Sequence, residues 1–145
     1  MTATNGELLV RIVDGIAHVT LNRPQSRNAL TFGMYEELAK LCALAGTADD
    51  ADHIKVIVIA GAGDKAFAAG TDIGQFTAFD STEDGLRYEA KVEAVISQIE
   101  SCHVPVIAAL HGAVTGGGLV IAAAAHVRIA SAVAVAGMPI ARTLG

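Results

Sequence analysis

Val104 to Ala125 holds no Asp, Glu, Lys or Arg, and three consecutive glycines, 116–118, lie inside it. An uncharged run of this length could cross a bilayer as one helix, and Gly112-x-x-x-Gly116 resembles a membrane-helix contact motif. Pro105, His111 and the glycines would break such a helix in its middle, however, and no basic cluster flanks the run. A better reading is a buried strand from Pro105 to Leu110, a turn at His111-Gly112, and an apolar helix opened by the three glycines. Glycine has no Cβ, so the backbone there can lie close against a ligand. The first N–H groups of a helix lack intrahelical partners, and the helix dipole adds positive potential at that end. Such a place suits an anion, or an oxygen becoming anionic during a reaction. A packing turn with no ligand accounts for the same glycines equally well.

The 145 residues suffice for one domain, 1–145, with a real core. A chain that is 52% hydrophobic and 17% charged is globular rather than disordered. Its formal charge of −5, without a basic cluster, argues against a nucleic-acid partner. Met1 to Glu7 has neither a basic nor an apolar signal region, so no secretory signal is expected. Cys42 and Cys102 fit buried thiols in a reducing, cytoplasmic setting, and neither they nor the histidines have metal-ligand spacing. Alanine and glycine replace scarce aromatics, which favours close backbone packing and surface buried between subunits.

Two β-rich runs, Glu7 to Val13 and Ile16 to Leu21, flank Asp14-Gly15, a strong hairpin signal. Thr31 to Ala45 is expected to be a helix, with Tyr35, Leu38, Leu41, Cys42 and Ala45 on one face. Ile54 to Ala60 is a continuous β-branched run, expected to be buried on both faces. Gly61 to Asp72 reads as a loop of small residues, followed by an irregular or short helical piece from Ile73 to Phe79. Glu83 to Ser101 is a second amphipathic helix, with Tyr88, Val92, Val95, Ile96 and Ile99 inward. Short strands are expected at Val127 to Ala130 and Val133 to Ala136, then a turn at Gly137 to Ile140. Ligands in α/β architectures collect at the carboxyl ends of strands. Two small-residue loops, 61–72 and 111–118, leave such ends, and two backbone N–H groups from separate strand ends suit a carbonyl oxygen that becomes an enolate.

Asn22-Arg-Pro24 with Asn28-Ala-Leu30, then Ala66-Phe-Ala-Ala-Gly-Thr-Asp-Ile73, resemble the crotonase superfamily, the enoyl-CoA hydratase/isomerase family. Pro105 to Ala109, Gly112, Gly116 to Gly118, Arg128-Ile-Ala-Ser131 and Gly137-Met-Pro139 continue the match in order over essentially the whole chain. The resemblance implies an α/β spiral of ββα units, commonly assembled as trimers or paired trimers, here without the family's C-terminal helical part. It implies an acyl-CoA thioester substrate, with coenzyme A arriving as part of that substrate and no separate cofactor. The shared chemistry is stabilisation of a thioester enolate by two backbone N–H groups, which by motif would be those of Thr71 and Gly117, with Gly116 beside them. Ala69 would face the adenine of coenzyme A, and Arg27 would meet its phosphates, although a solvated surface charge explains Arg27 as well.

The departures from the pattern are specific. Hydratases of the family carry a glutamate two residues after the triple glycine and another directly after the Gly-x-Pro turn. Val120 and Ile140 stand there. Hydration needs a carboxylate to activate water and an acid for the α-carbon, so two-glutamate hydration is not expected. Isomerisation, thioester hydrolysis or decarboxylation through an enolate stay open, as does a catalytically silent CoA-binding or scaffold protein. Asp72 adjoins an oxyanion donor, though a capping role suits it better. Asp80 and Glu83 read as helix-start residues, Arg142 could bind an acidic acyl group, and a structural hydrogen bond is expected of His111 and His126.

Overall fold

The computed structural model describes residues 6–139. β1 (Leu8–Val13) and β2 (Ile16–Leu21) form the expected hairpin, with Asp14 and Gly15 both at positive φ. Such a turn matches the right-handed twist of the strands it joins. α1 (Phe32–Leu44) starts at Thr31, whose Oγ1 accepts from the Met34 N–H at 3.3 Å, and buries Met34, Tyr35, Leu38 and Cys42. α2 (Thr82–Glu100) is capped by Ser81 and Asp84, with Glu83 in its first turn and the Asp80 N–H donating to Asp84, so both stand at the helix start as expected. Glu83 also pairs with Arg87 one turn on.

β3 (Val56–Gly61) follows α1, and its burial alternates: Ile57 and Ile59 are fully buried while Val56 and Val58 are half-buried. The expectation of burial on both faces is thus corrected. β5 (Val106–Leu110) begins one residue later than expected. Two strands escape the sequence reading, β4 (Ala66–Ala69) and β6 (Ala113–Thr115), inside stretches that read as loops. α3 (Gly117–Ala124), β7 (Val127–Ala130) and β8 (Val135–Gly137) complete the described chain, β8 lying slightly beyond its expected place.

β1 to β3, β5 and β7 form one sheet in the order β1-β2-β3-β5-β7, parallel from β2 onward. β4, β6 and β8 pair in parallel in a second, smaller sheet. After β1-β2-α1, whose strands both lie in the large sheet, β3-β4-α2 and β5-β6-α3 each lay one strand in the large sheet and one in the small sheet before entering a helix. This is the spiral of ββα units that the resemblance implies. Phe67, fully buried, anchors β4 among alanines. Burying a phenylalanine is worth about 1.5–3 kcal/mol, enough to override alanine's poor strand preference, which spans about 1 kcal/mol.

Tight approaches hold the sheets and helices together. A Cβ on Gly61 would strike the carbonyl oxygens of Ala66 and Phe67, and one on Gly118 the Ala68 carbonyl. Among the described residues no helix is long and apolar enough to cross a membrane, and the uncharged run is divided among β5, β6 and α3.

Candidate active site

Two strands of the small sheet, β4 and β6, run side by side and deliver their following loops to one place. Gly70 leaves β4 at φ +102°, and Gly116 leaves β6 at φ +53°, both in the region that glycine alone enters freely. The two backbones touch: a Cβ on Gly116 would lie 3.2 Å from the Gly70 Cα. Thr71 and Gly117 follow directly, and a Cβ on Gly117 would lie 2.8 Å from Thr71 Oγ1 and closer still to the Tyr35 hydroxyl. Among the described residues neither the Thr71 nor the Gly117 amide donates to a protein acceptor. Gly117 opens α3, so its free N–H carries the helix's positive end.

The loop bearing Thr71 is held from several sides. The Leu30 N–H donates to the Gly70 carbonyl at 2.8 Å, and the Asp72 N–H to the Leu30 carbonyl at 2.8 Å. Asp72 caps the 3-10 turn Ile73–Ala78 by accepting from the Gly74 N–H, while its other oxygen pairs with Arg23 at 2.7 Å. Both carboxylate oxygens are thus engaged within the protein. The Arg23 guanidinium, helped by the Gly74 amide, holds the Asp72 carboxyl below the usual carboxylate range. Arg23 also donates to the Ala29 carbonyl and pairs with Glu7 at 3.3 Å. Asn28, fully buried at φ +55°, accepts from the Arg23 N–H and donates to the Ala62 and Ala66 carbonyls. The Asn22-Arg-Pro24 and Asn28-Ala-Leu30 motifs therefore act together as the scaffold of the 61–72 segment.

Arg27 is exposed beside this scaffold, on the rim of a cleft of about 190 Å³ that it lines with Pro24, Ala62, Gly63, Asp64 and Lys65. Its carbonyl accepts from the Ala69 N–H at 2.9 Å, which puts Arg27 and Ala69 on adjoining backbone. Val120 lies half-buried on α3. Ile140 and Arg142 lie outside the described residues.

Two residues unmarked by the sequence reading, except as apolar-face positions, complete the site. The Tyr35 hydroxyl lies 2.9 Å from Thr71 Oγ1, and the Tyr88 hydroxyl lies 3.1 Å from it. Tyr88 projects from a cluster with Phe32, Phe76 and Phe79, its ring centroid 4.7 Å from that of Phe76. The available signal was that these are the chain's only tyrosines, each the polar-tipped member of an apolar helix face. His126 takes a structural role: Nδ1 accepts from the Val106 N–H, which puts the proton on Nε2, beside the Glu100 carbonyl. His111 departs from expectation, since its buried Nε2 has no partner among the described residues. Burial pushes the Cys42 thiol up, Cys102 lying beside it, and both cysteines are free.

The sequence model of the family Enoyl-CoA hydratase/isomerase matches residues 11–143. A Short-chain-enoyl-CoA hydratase of Clostridium acetobutylicum is 34% identical over 124 residues, covering 86% of this chain and 46% of that protein. A peroxisomal Delta(3,5)-Delta(2,4)-dienoyl-CoA isomerase of Arabidopsis thaliana is 34% identical over 127 residues, covering 80% of this chain and 44% of its own length. The crystal structure of an enoyl-CoA hydratase/carnithine racemase from Magnetospirillum magneticum superposes with a TM-score of 0.83 at 32% identity, covering 94% of this chain and 51% of that one. The chain thus spans about half the length of the relatives it matches.

Proposed function

Because the chain belongs to the enoyl-CoA hydratase/isomerase family, we propose that it binds an acyl-CoA thioester and stabilises its enolate between the Thr71 and Gly117 amides. The observation that carries this reading is the contact between the two strand ends. Gly70 meets Gly116 there, and two amides without protein acceptors emerge side by side. An oxygen between such donors is stabilised most when it carries charge, which lowers the barrier to enolate formation. Asp72, tied to Arg23, would keep the Thr71 amide in place. Arg27 would meet the phosphates of coenzyme A and Ala69 its adenine, the two being joined through one backbone hydrogen bond. Arg142 remains the candidate for an acidic acyl group. Like the family it resembles, the chain would assemble as a trimer or a pair of trimers.

Val120 and Ile140 direct the chemistry away from two-glutamate hydration and toward isomerisation, thioester hydrolysis or decarboxylation. The same residues favour a second reading, a silent CoA-binding protein. Calorimetric titration with a short acyl-CoA, against free CoA as control, tests the site itself. Tighter binding of the acyl-CoA supports a thioester site. Equal affinity for both ligands favours the silent CoA-binding module, and no binding to either from a folded chain removes both readings.

A further inference from the structure

Tyr35, Thr71 and Tyr88 come from α1, the loop after β4, and α2, and their three hydroxyls meet at Thr71 Oγ1. Three hydroxyls bring three protons, and the two contacts use two of them. Among the described residues none of the three makes a hydrogen bond outside the cluster. One proton is therefore left to donate outward, in a cluster packed against Gly117. Tyr35 is buried, with the Thr71 hydroxyl at 2.9 Å and Tyr88 beside it, so it is placed to donate into the cluster. With Tyr88 donating as well, both lone pairs of Thr71 Oγ1 are filled and its own O–H is released.

We propose that the Thr71 hydroxyl, oriented by Tyr35 and Tyr88, is a third hydrogen-bond donor to the thioester oxygen held by the Thr71 and Gly117 amides. This rests on the two-amide reading above and deepens it. A threonine at this position then adds a side-chain donor that an alanine could not supply. The cluster offers donors and no carboxylate, so its chemistry is stabilisation of an enolate oxygen rather than abstraction of a proton. Tyr35 and Tyr88 are positioning residues, acting through Thr71.

Acetoacetyl-CoA tests this, because its enolate absorbs in the near ultraviolet and reports the ionisation of the bound ligand directly. Thr71→Val keeps the backbone amide and the branched shape while removing the hydroxyl. Thr71→Ser keeps the hydroxyl. A hydrogen bond to a charged group contributes about 1.5–3 kcal/mol, so Thr71→Val should lower the enolate-to-keto ratio of bound ligand about ten-fold or more. Free CoA should bind unchanged, and Thr71→Ser should restore the ratio. An enolate band equally strong in the wild type and in Thr71→Val overturns this inference and leaves the two amides standing. A wild type that binds acetoacetyl-CoA without enriching its enolate overturns the two-amide reading, and this inference with it. Should Thr71→Val not fold, Tyr88→Phe at its half-buried position decides: a reduced enolate fraction supports the orienting role, and an unchanged one overturns it.

Discussion

Tyr35 sits on the buried face of α1, and its phenol is the innermost group of the hydroxyl cluster. Burial pushes its pKa up to about 12; the Thr71 hydroxyl pulls the other way, and Tyr88 adds to the rise. An ordinary tyrosine titrates near about 10. The fold therefore favours the neutral phenol. That contribution to stability is full below about pH 10 and is lost as pH climbs toward 12. Alkaline titration of tyrosinate absorbance should show a late phase near 12 that vanishes in Tyr35→Phe. A phase near 10 assigned to Tyr35 would contradict the burial argument. Gly117 is constrained at the same place, since any Cβ there would strike Tyr35 and Thr71. Replacing Gly117 by proline would thus disturb the hydroxyls as well as remove the amide, which makes Thr71 the cleaner probe.

At the scale of elements, two glycines in helices should respond to alanine with opposite signs. In α3, a Cβ on Gly118 would overlap the carbonyl carbon and oxygen of Ala68 in β4. Backbone cannot step aside as a side chain can, so α3 would have to lift from the small sheet. Gly118→Ala should destabilise by about 1–3 kcal/mol or more. In α2, a Cβ on Gly85 meets nothing within 4 Å. Gly85→Ala should stabilise by about 0.5–1 kcal/mol, the ordinary helix preference for alanine. Urea unfolding of the two variants measures both, and a shift of the same sign in each would refute the packing argument. Further along, Arg128 reaches back to the Ala122, Ala123 and Ala125 carbonyls. A cation is thereby placed on the negative end of α3. The Arg-Ile-Ala-Ser131 motif thus has a structural use within the family pattern.

Over the whole molecule, acidity should loosen the connections between elements. Burial alone would raise the Asp50 carboxyl, but the Gly46, Ile54 and Asp52 amides that it accepts from bring it below the usual range. Asp72 is lowered through Arg23 and Gly74. Each contribution is complete above the unfolded value, about pH 4, and declines as pH falls through the depressed folded value. Urea midpoints should hold from neutrality to about pH 5 and then drop. Asp50→Asn should cost about 1–3 kcal/mol at neutral pH and flatten that drop; an unflattened profile would count against Asp50 as a source. The amides on Asp50 and Asp72 come from residues two to four positions away, and the capping role of Asp72 was legible for that reason, whereas its Arg23 partner lies 49 positions off and was not. What the sequence alone determined was the order of hairpin, amphipathic helices and long β-branched strands, because apolar period and turn residues are local properties. It also carried the family motifs, and so the identity of Thr71 and Gly117 as the paired candidates. Only the tertiary structure decided that the small-residue stretches hold β4 and β6, since alanine-rich strands of three or four residues exist through their pairing and through Phe67. It alone brought Tyr35 and Tyr88 to Thr71. Hydroxyls on two helices and a loop can share one point only after the sheets and helices have packed.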